Sequence, residues 1–384
     1  LLLATFVGAF KRDRRPKPVM IWGKPGVGKT FTVYASAKAI AARLGIDKVD
    51  VFCVPCSCLE PTDVAGIPTP IEIDGVIRYT SYLPPLWAWM CSKEYEEHER
   101  KVQKDPKWTA PPALLFFDDV PAAHFQTQTA FFKGVHEGMW GDLTQRDNVM
   151  TVACGNRVED GAGANDMPTA LANRFRHAYA APTTSDWVSW AGEEESNVHP
   201  FVIGYIRQNE DDLNEFDADV ASRSEKAFAS ARTWEDISDL LWEGELDSNG
   251  DEVFTKAVMG IIGRGVATKF LAYMRNTNAV VSPAEIVKNP KTARIPSKKN
   301  LDALHATISS LEHHIKQHPE HWEAAIRYAL RKEMLPDFGL LLAKTAGWVI
   351  SHKLDAEQRG EAVGSDIFVE LFERYEGVLD AVNL

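Results

Sequence analysis

The sequence predicts an α/β fold: a parallel-sheet core in the first half of the chain, followed by helices alone. Three observations carry this. Short buried-strand runs alternate with helical segments as far as Pro182. A glycine-rich turn links the first of these strands to the first long helix. Beyond Pro182, helical spacing persists without any further strand pattern.

The elements follow in order. Leu1–Phe10 is apolar but far too short to span a bilayer. The basic run Lys11-Arg12-Asp13-Arg14-Arg15 comes after it, the reverse of a signal peptide, so an amphipathic helix beside the core is expected. Val19–Trp22 is an apolar run ending at a glycine and reads as a buried strand. Phe31–Leu44 has helical spacing and stops at Gly45, a C-terminal cap residue. Val49–Val54 gives a second strand, closed by Pro55. Such strand–helix–strand units build parallel sheets.

Between Asp63 and Leu86 the rhythm breaks. Ile71–Ile73 and Val76–Tyr79 alternate around Asp74-Gly75, a strong hairpin signal. Glu94–Lys107 is charged and reads as a solvated helix. Leu114–Phe117 is a third buried strand and Val149–Ala153 a fourth. After Pro182, helices are expected over Ser230–Trp242, Ala257–Met274, Leu301–Gln317 and Ala324–Ala346, with a turn-rich break at Asp247–Asp251. The Pro/Lys stretch Lys288–Lys299 and the basic run after Phe10 read as solvated connections. A boundary near 183–200 follows. The expected division is an α/β domain over 1–190 with a hairpin insertion near 67–82, a helical domain over 191–285, and a helical extension over 286–384. No motif is legible from Asn300 onward, and no internal repeat occurs.

A chain of 384 residues is too long for one small core. Its 45% hydrophobic and 25% charged content is that of an ordinary globular protein. The net charge of -12 and a pI of about 5.5 argue against a dedicated nucleic-acid surface, although a ring can hide a basic pore. Five cysteines, an odd number, fit a reducing compartment, and a cytoplasmic location without membrane insertion is expected. Cys53, Cys56 and Cys58 invite a zinc reading, but no second pair of ligands accompanies them. Cys91, Cys154 or His124 would add only a distant single ligand, so a strand end and its loop is the better reading.

The chemistry begins at Gly23-Lys24-Pro25-Gly26-Val27-Gly28-Lys29-Thr30, a complete G-x-x-x-x-G-K-T loop between a strand and a helix. Glycines let the backbone curl so that its amides face an anion, and the helix N-terminus adds positive potential. Lys29 is expected to reach the β- and γ-phosphates, and the Thr30 hydroxyl to hold Mg²⁺. The third strand delivers Asp118-Asp119 at its carboxyl end, where ligands of open parallel sheets sit. One carboxylate would serve the metal and the next would orient or deprotonate the attacking water. The fourth strand ends in Cys154-Gly155-Asn156, whose amide could position that water. Ala170–Arg176 reads as a helix with Arg174 and Arg176 at its end, and arginine neutralises charge on a transferring phosphoryl group. No Asn-Lys-x-Asp motif occurs, so ATP is favoured over GTP.

The ordered set of loop, hairpin, Asp-Asp, strand with Asn, Ala-Asn-Arg-Phe and helical domain resembles the MoxR branch of the AAA+ ATPases, over roughly 18–280. The resemblance implies Lys29 and Thr30 as Walker A, Asp118-Asp119 as Walker B, Asn156 as sensor 1, Arg174 as the arginine finger and Arg232 as the sensor 2 arginine of a lid. It implies ATP and Mg²⁺, a homo-oligomeric ring (a hexamer), and remodelling of a client protein with a partner bearing a von Willebrand factor A domain. The family usually carries Asp-Glu where this chain has Asp118-Asp119, which puts turnover rate in doubt more than binding. The rival readings are a nucleic-acid motor or loader on the same core, and a small-molecule kinase. The hairpin offers nucleic acid only Arg78 as a cation, with Tyr79 and Tyr82.

Overall fold

The structure is a computed structural model that describes residues 1–160, 163–216, 226–244, 252–276 and 280–374. It divides into two compact units. The first comprises Leu1–Ala181 and Phe216; the second comprises Pro182–Glu215 and the described residues from 226 onward. The turn expected at Asp247–Asp251 lies outside the described residues.

In the first unit the strands are β1 (Val19–Trp22), β2 (Asp50–Pro55), β3 (Ile67–Ile73), β4 (Val76–Leu83), β5 (Ala113–Asp118), β6 (Met139–Trp140), β7 (Leu143–Thr144), β8 (Val149–Gly155) and β9 (Arg176–Tyr179). The helices are α1 (Leu2–Phe10), α2 (Lys29–Leu44), α3 (Pro61–Ala65), α4 (Leu86–Met90), α5 (Lys93–Val102), α6 (Phe125–Glu137) and α7 (Thr169–Ala172). The main sheet has five strands in the order β2-β5-β8-β1-β9, all parallel. Parallel pairing puts every carboxyl end on one edge, and the register aligns Phe117 with Ala153 and Trp22 with Gly155. The ends of β1, β5 and β8 therefore converge.

Alternation along β5 divides the core between the two faces. Leu114 and Phe116 pack with Phe6 of α1 and with Val33 and Ile40 of α2. Leu115 and Phe117 face the other way, where Phe117 meets Phe131 at 4.7 Å and Trp140 at 5.2 Å between ring centroids. A strand buried on both faces reads as a continuous apolar run, which is why β1, β5 and β8 are legible in the sequence. Each such fully buried large side chain contributes about 1.5–3 kcal/mol. The first helix also matches its expected amphipathic pattern, with Leu2, Phe6 and Val7 buried.

Two expectations for this unit need correction. β9 was not anticipated, and Arg176 sits on it rather than at the end of a helix. An edge strand of mostly exposed residues, Arg-His-Ala-Tyr, leaves no apolar run to read. α5 stops at Val102 rather than Lys107, where Lys104 adopts a left-handed φ of 53°. The hairpin spans Ile67–Leu83: Ile67 pairs with Leu83, and a bulge falls between Ile71 and Glu72. Its turn, Asp74 at φ 53° and Gly75 at φ 74°, has positive φ at both central residues, as the Asp-Gly signal requires.

The second unit is helical. It contains α8 (Thr184–Ala191), α9 (Pro200–Gln208), α10 (Ala231–Glu243), α11 (Glu252–Ile262), α12 (Arg264–Asn276), α13 (Pro283–Lys288), α14 (Leu301–Gln317), α15 (Trp322–Ala329), α16 (Pro336–Lys353), α17 (Ala356–Val363) and α18 (Asp366–Arg374). The single helix expected over Ala257–Met274 is broken at Gly263, whose φ is 76°. The one expected over Ala324–Ala346 is broken before Pro336, which starts α16 because proline removes a donor mid-helix but suits a first turn. Two apolar clusters form. One gathers Trp187, Tyr205, Trp234 and Phe270; the other gathers Leu304, Ile326, Tyr328 and Leu342.

Candidate functional site

The glycine-rich loop leaves β1 and enters α2. Gly26 and Gly28 have φ of 75° and 82°, where an L side chain would be strained. Gly28 caps α2 without a side-chain hydrogen bond, and the first helical turn carries no acid. The amides of that turn thus have no side-chain cap, which suits an anion.

Lys29 opens α2 and is only 9% exposed. Its Nζ donates to the carbonyls of Gly23 and Lys24 at 2.9 and 3.0 Å, and to Asn156 Oδ1 at 2.7 Å. Burial pushes its pKa down, and the acidic groups of Cys154, Asp119, Asp118 and Asp160 oppose that shift. Asn156 follows Gly155, the last residue of β8. A Cβ on Gly155 would lie 2.2 Å from Pro121 Cδ, so only glycine lets β8 pass that close to the turn after Asp119.

Asp118 ends β5. Its Oδ2 accepts from Thr30 Oγ1 at 3.3 Å, and its Oδ1 accepts from Cys154 Sγ at 2.7 Å. Ligand atoms of Asp118, Asp119 and Cys154 all lie within 4.8 Å of one another. The donor set fits Mg²⁺, because Thr30, Asp118 and Asp119 offer hard oxygens. Cys154 does not turn the set toward a soft metal. Burial first, then the neighbouring Asp118, push its thiol well up, so the sulfur remains a protonated donor at neutral pH. Asp119 stands next in the chain at φ 54° and ψ 48°, the left-handed region. Aspartate and asparagine tolerate that region better than other side chains carrying a Cβ.

The sequence-predicted residues thus fall into two groups. Lys29, Thr30, Asp118, Asp119 and Asn156 assemble on the carboxyl edge of the sheet, around the loop Gly23-Lys24-Pro25-Gly26-Val27-Gly28. Arg174 lies on the same unit just after α7; its guanidinium sits 5.2 Å from the Phe132 ring centroid and donates to the Ala170 carbonyl. Arg232 belongs to the second unit, exposed in the first turn of α10, where its charge partly offsets the upward shift that burial and Asp236 give Glu235.

Sequence reasoning missed two neighbours of the site. Cys154 was weighed only as a distant metal ligand, yet it bonds Asp118. Its position in the strand that ends in Asn156 was the available signal. Asp160 is buried and ion-paired with Arg157 at 2.8 Å, closing the loop that follows Asn156. The Cys53, Cys56 and Cys58 run is a strand end followed by a short 3-10 turn, as expected.

No protein-family model matches the chain, and no curated protein matches it. Among solved structures it is similar to the E. coli MS115-1 HORMA:CdnC:Trip13 complex, at 13% identity over 71% of this chain and 84% of that one, with a TM-score of 0.35. It is similar to the Thermotoga maritima RuvB Holliday junction branch migration motor, at 14% identity over 83% and 85%, with a TM-score of 0.33. It is similar also to the Aeropyrum pernix ORC1 protein in complex with DNA, at 12% identity over 94% and 81%, with a TM-score of 0.31. At these scores the likeness adds no argument of its own to the sheet order and the site geometry.

Proposed function

We propose that the chain is an ATP-hydrolysing AAA+ ATPase of the MoxR kind, acting as a homo-oligomeric ring that remodels a client protein. The observation that carries this is the convergence of Lys29, Asn156, Thr30 and Asp118 on one edge of a parallel sheet ordered β2-β5-β8-β1-β9. The loop amides and Lys29 bind the phosphates of ATP. Thr30 and Asp118 hold Mg²⁺, which when bound offsets charge on the β- and γ-phosphates. Asp119 takes the proton of the attacking water, and Asn156 orients that water while fixing Lys29. Arg174 serves a neighbouring subunit's site, Arg232 is the sensor 2 arginine of a lid over 191–285, and 286–384 form an extension. A hexamer and a partner bearing a von Willebrand factor A domain complete the reading, on resemblance alone.

The exposed hairpin supports a second reading, a motor on nucleic acid. Tyr79 and Tyr82 are 56% and 43% exposed and could stack on bases. Only Arg78 supplies a cation on that ribbon, which favours a protein client.

The test is Lys29→Ala, titrated with a fluorescent ATP analogue and assayed for phosphate release. Loss of affinity and turnover is expected. Unchanged affinity and turnover would remove the nucleotide site. ATPase stimulation by single-stranded nucleic acid at low salt would favour the second reading over the first.

A further inference from the structure

A second group of ligand-bearing side chains lies at the turn from α14 into α15, within the second unit and unconnected with the nucleotide chemistry. His314 lies in the last turn of α14, and His318, four residues on, is its C-terminal cap residue. The backbone then folds tightly: His318 N–H donates to the His314 carbonyl at 2.8 Å, and His321 N–H to the His318 carbonyl at 3.0 Å. This brings His314 Nε2 within 3.0 Å of His321 Nδ1, with the two rings stacked at 4°. The His318 ring centroid stands 4.7 Å from that of His314 and 5.8 Å from that of His321. Its Nδ1 faces Glu320 Oε1 at 3.6 Å.

We infer that His314, His318 and His321 form a site for one divalent transition-metal ion of the Zn²⁺ class, with Glu320 as the outer partner of His318. Two nitrogens on a tetrahedral zinc with bonds of about 2.0–2.1 Å stand roughly 3.3 Å apart. The His314–His321 pair needs to open by only a few tenths of an ångström for a metal to replace the shared proton. The pairing of His318 Nδ1 with a carboxylate leaves Nε2 as its ligand atom, the arrangement that commonly orients zinc-binding histidines. His318 is exposed, so its ring can rotate about its side-chain bonds toward the other two and the ion has a way in. That rotation is required: among the described residues, three ligand atoms already within 4.8 Å gather only at Asp118, Asp119 and Cys154.

Imidazole ligands select Zn²⁺, Ni²⁺ and Cu²⁺ over Mg²⁺, so this site and the nucleotide site would not compete for one ion. The bound ion would staple the end of α14 to the start of α15.

The experiment titrates the full chain, prepared without a polyhistidine tag or nucleotide, with Co²⁺ and then Zn²⁺. The readouts are visible absorption, calorimetry and thermal melting. One equivalent of Zn²⁺ should bind and raise Tm in a concentration-dependent way. His318→Ala changes an exposed side chain, so the fold should hold while affinity drops at least about tenfold and the Tm gain disappears. Cys154→Ala, which removes the thiol beside Asp118, should leave the Zn²⁺ titration as it was. The inference is overturned by no stoichiometric binding, by full binding in His318→Ala, or by binding lost in Cys154→Ala but kept in His318→Ala.

Discussion

Lys29 Nζ lies 2.7 Å from Asn156 Oδ1, so the loop before α2 is tied directly to the residue that follows β8. The bond joins the group expected to hold phosphate to the group expected to place water. Any movement of the end of β8 is therefore felt by Lys29.

The first prediction concerns that bond. Asn156→Ala removes one of three acceptors from an almost buried ammonium, and hydrogen bonds to charged groups contribute about 1.5–3 kcal/mol. The Gly23 and Lys24 carbonyls remain, so ATP affinity should change only severalfold. Turnover should fall at least about tenfold, the low end expected when a group that positions a proton transfer is lost. Analogue titration beside a phosphate-release assay separates the two. Equal losses in both would mean that Asn156 serves binding alone.

Asp119 supports the second prediction through its backbone. At φ 54° it occupies a region costly for most side chains, of order 1–3 kcal/mol, and Asp and Asn bear it best. Asp119→Asn should keep the fold and ATP binding while largely abolishing hydrolysis. Asp119→Glu, which restores the pair usual in the resembled family, should melt at lower temperature here and hydrolyse no faster. A faster and equally stable Glu variant would show that the left-handed turn does not govern the choice of carboxylate.

Thiol reactivity gives a third prediction. Cys56, Cys91 and Cys154 are buried, whereas Cys53 and Cys58 are exposed. Burial pushes Cys91 up to about 12, and Cys56 and Cys154 higher still, so their thiolate fractions near pH 7 are negligible. Native protein should label fastest at Cys58, more slowly at Cys53, whose thiol burial and then Asp118 push up, and slowest at the other three, with all five reacting in denaturant. Rapid native labelling of Cys154, read by peptide mapping, would contradict its burial against Asp118.

What the sequence made legible follows from burial. β1, β5 and β8 are closed on both faces, so their apolar runs stand out, and the motif residues at their ends were found with them. β9 lies at the sheet edge with exposed Arg176 and His177, and no periodicity marks it. The contact of Cys154 with Asp118 depends on the parallel register of β5 against β8, which no single strand reveals. Gly263 and Pro336 were visible as breakers, but the apolar spacing on either side stays in phase and hid the breaks.

The last prediction concerns assembly and rests on Arg174. Its guanidinium packs over Phe132 and is held to Ala170, contacts that fix its direction on the surface of the first unit. If it completes the site of a neighbouring subunit, an Arg174→Ala chain should bind ATP normally yet hydrolyse it about 10³–10⁵-fold more slowly even when assembled. A Lys29→Ala chain, which binds ATP poorly, still presents Arg174. Mixing the two inactive chains restores a complete site wherever an Arg174→Ala subunit holds ATP and a Lys29→Ala subunit supplies the arginine. Partial recovery of phosphate release is expected once subunits exchange. The wild type should lose specific activity on dilution as rings dissociate. A wild type that stays monomeric by light scattering with ATP bound, and keeps full activity on dilution, would end the ring reading. Arg174 would then do no more than cover Phe132.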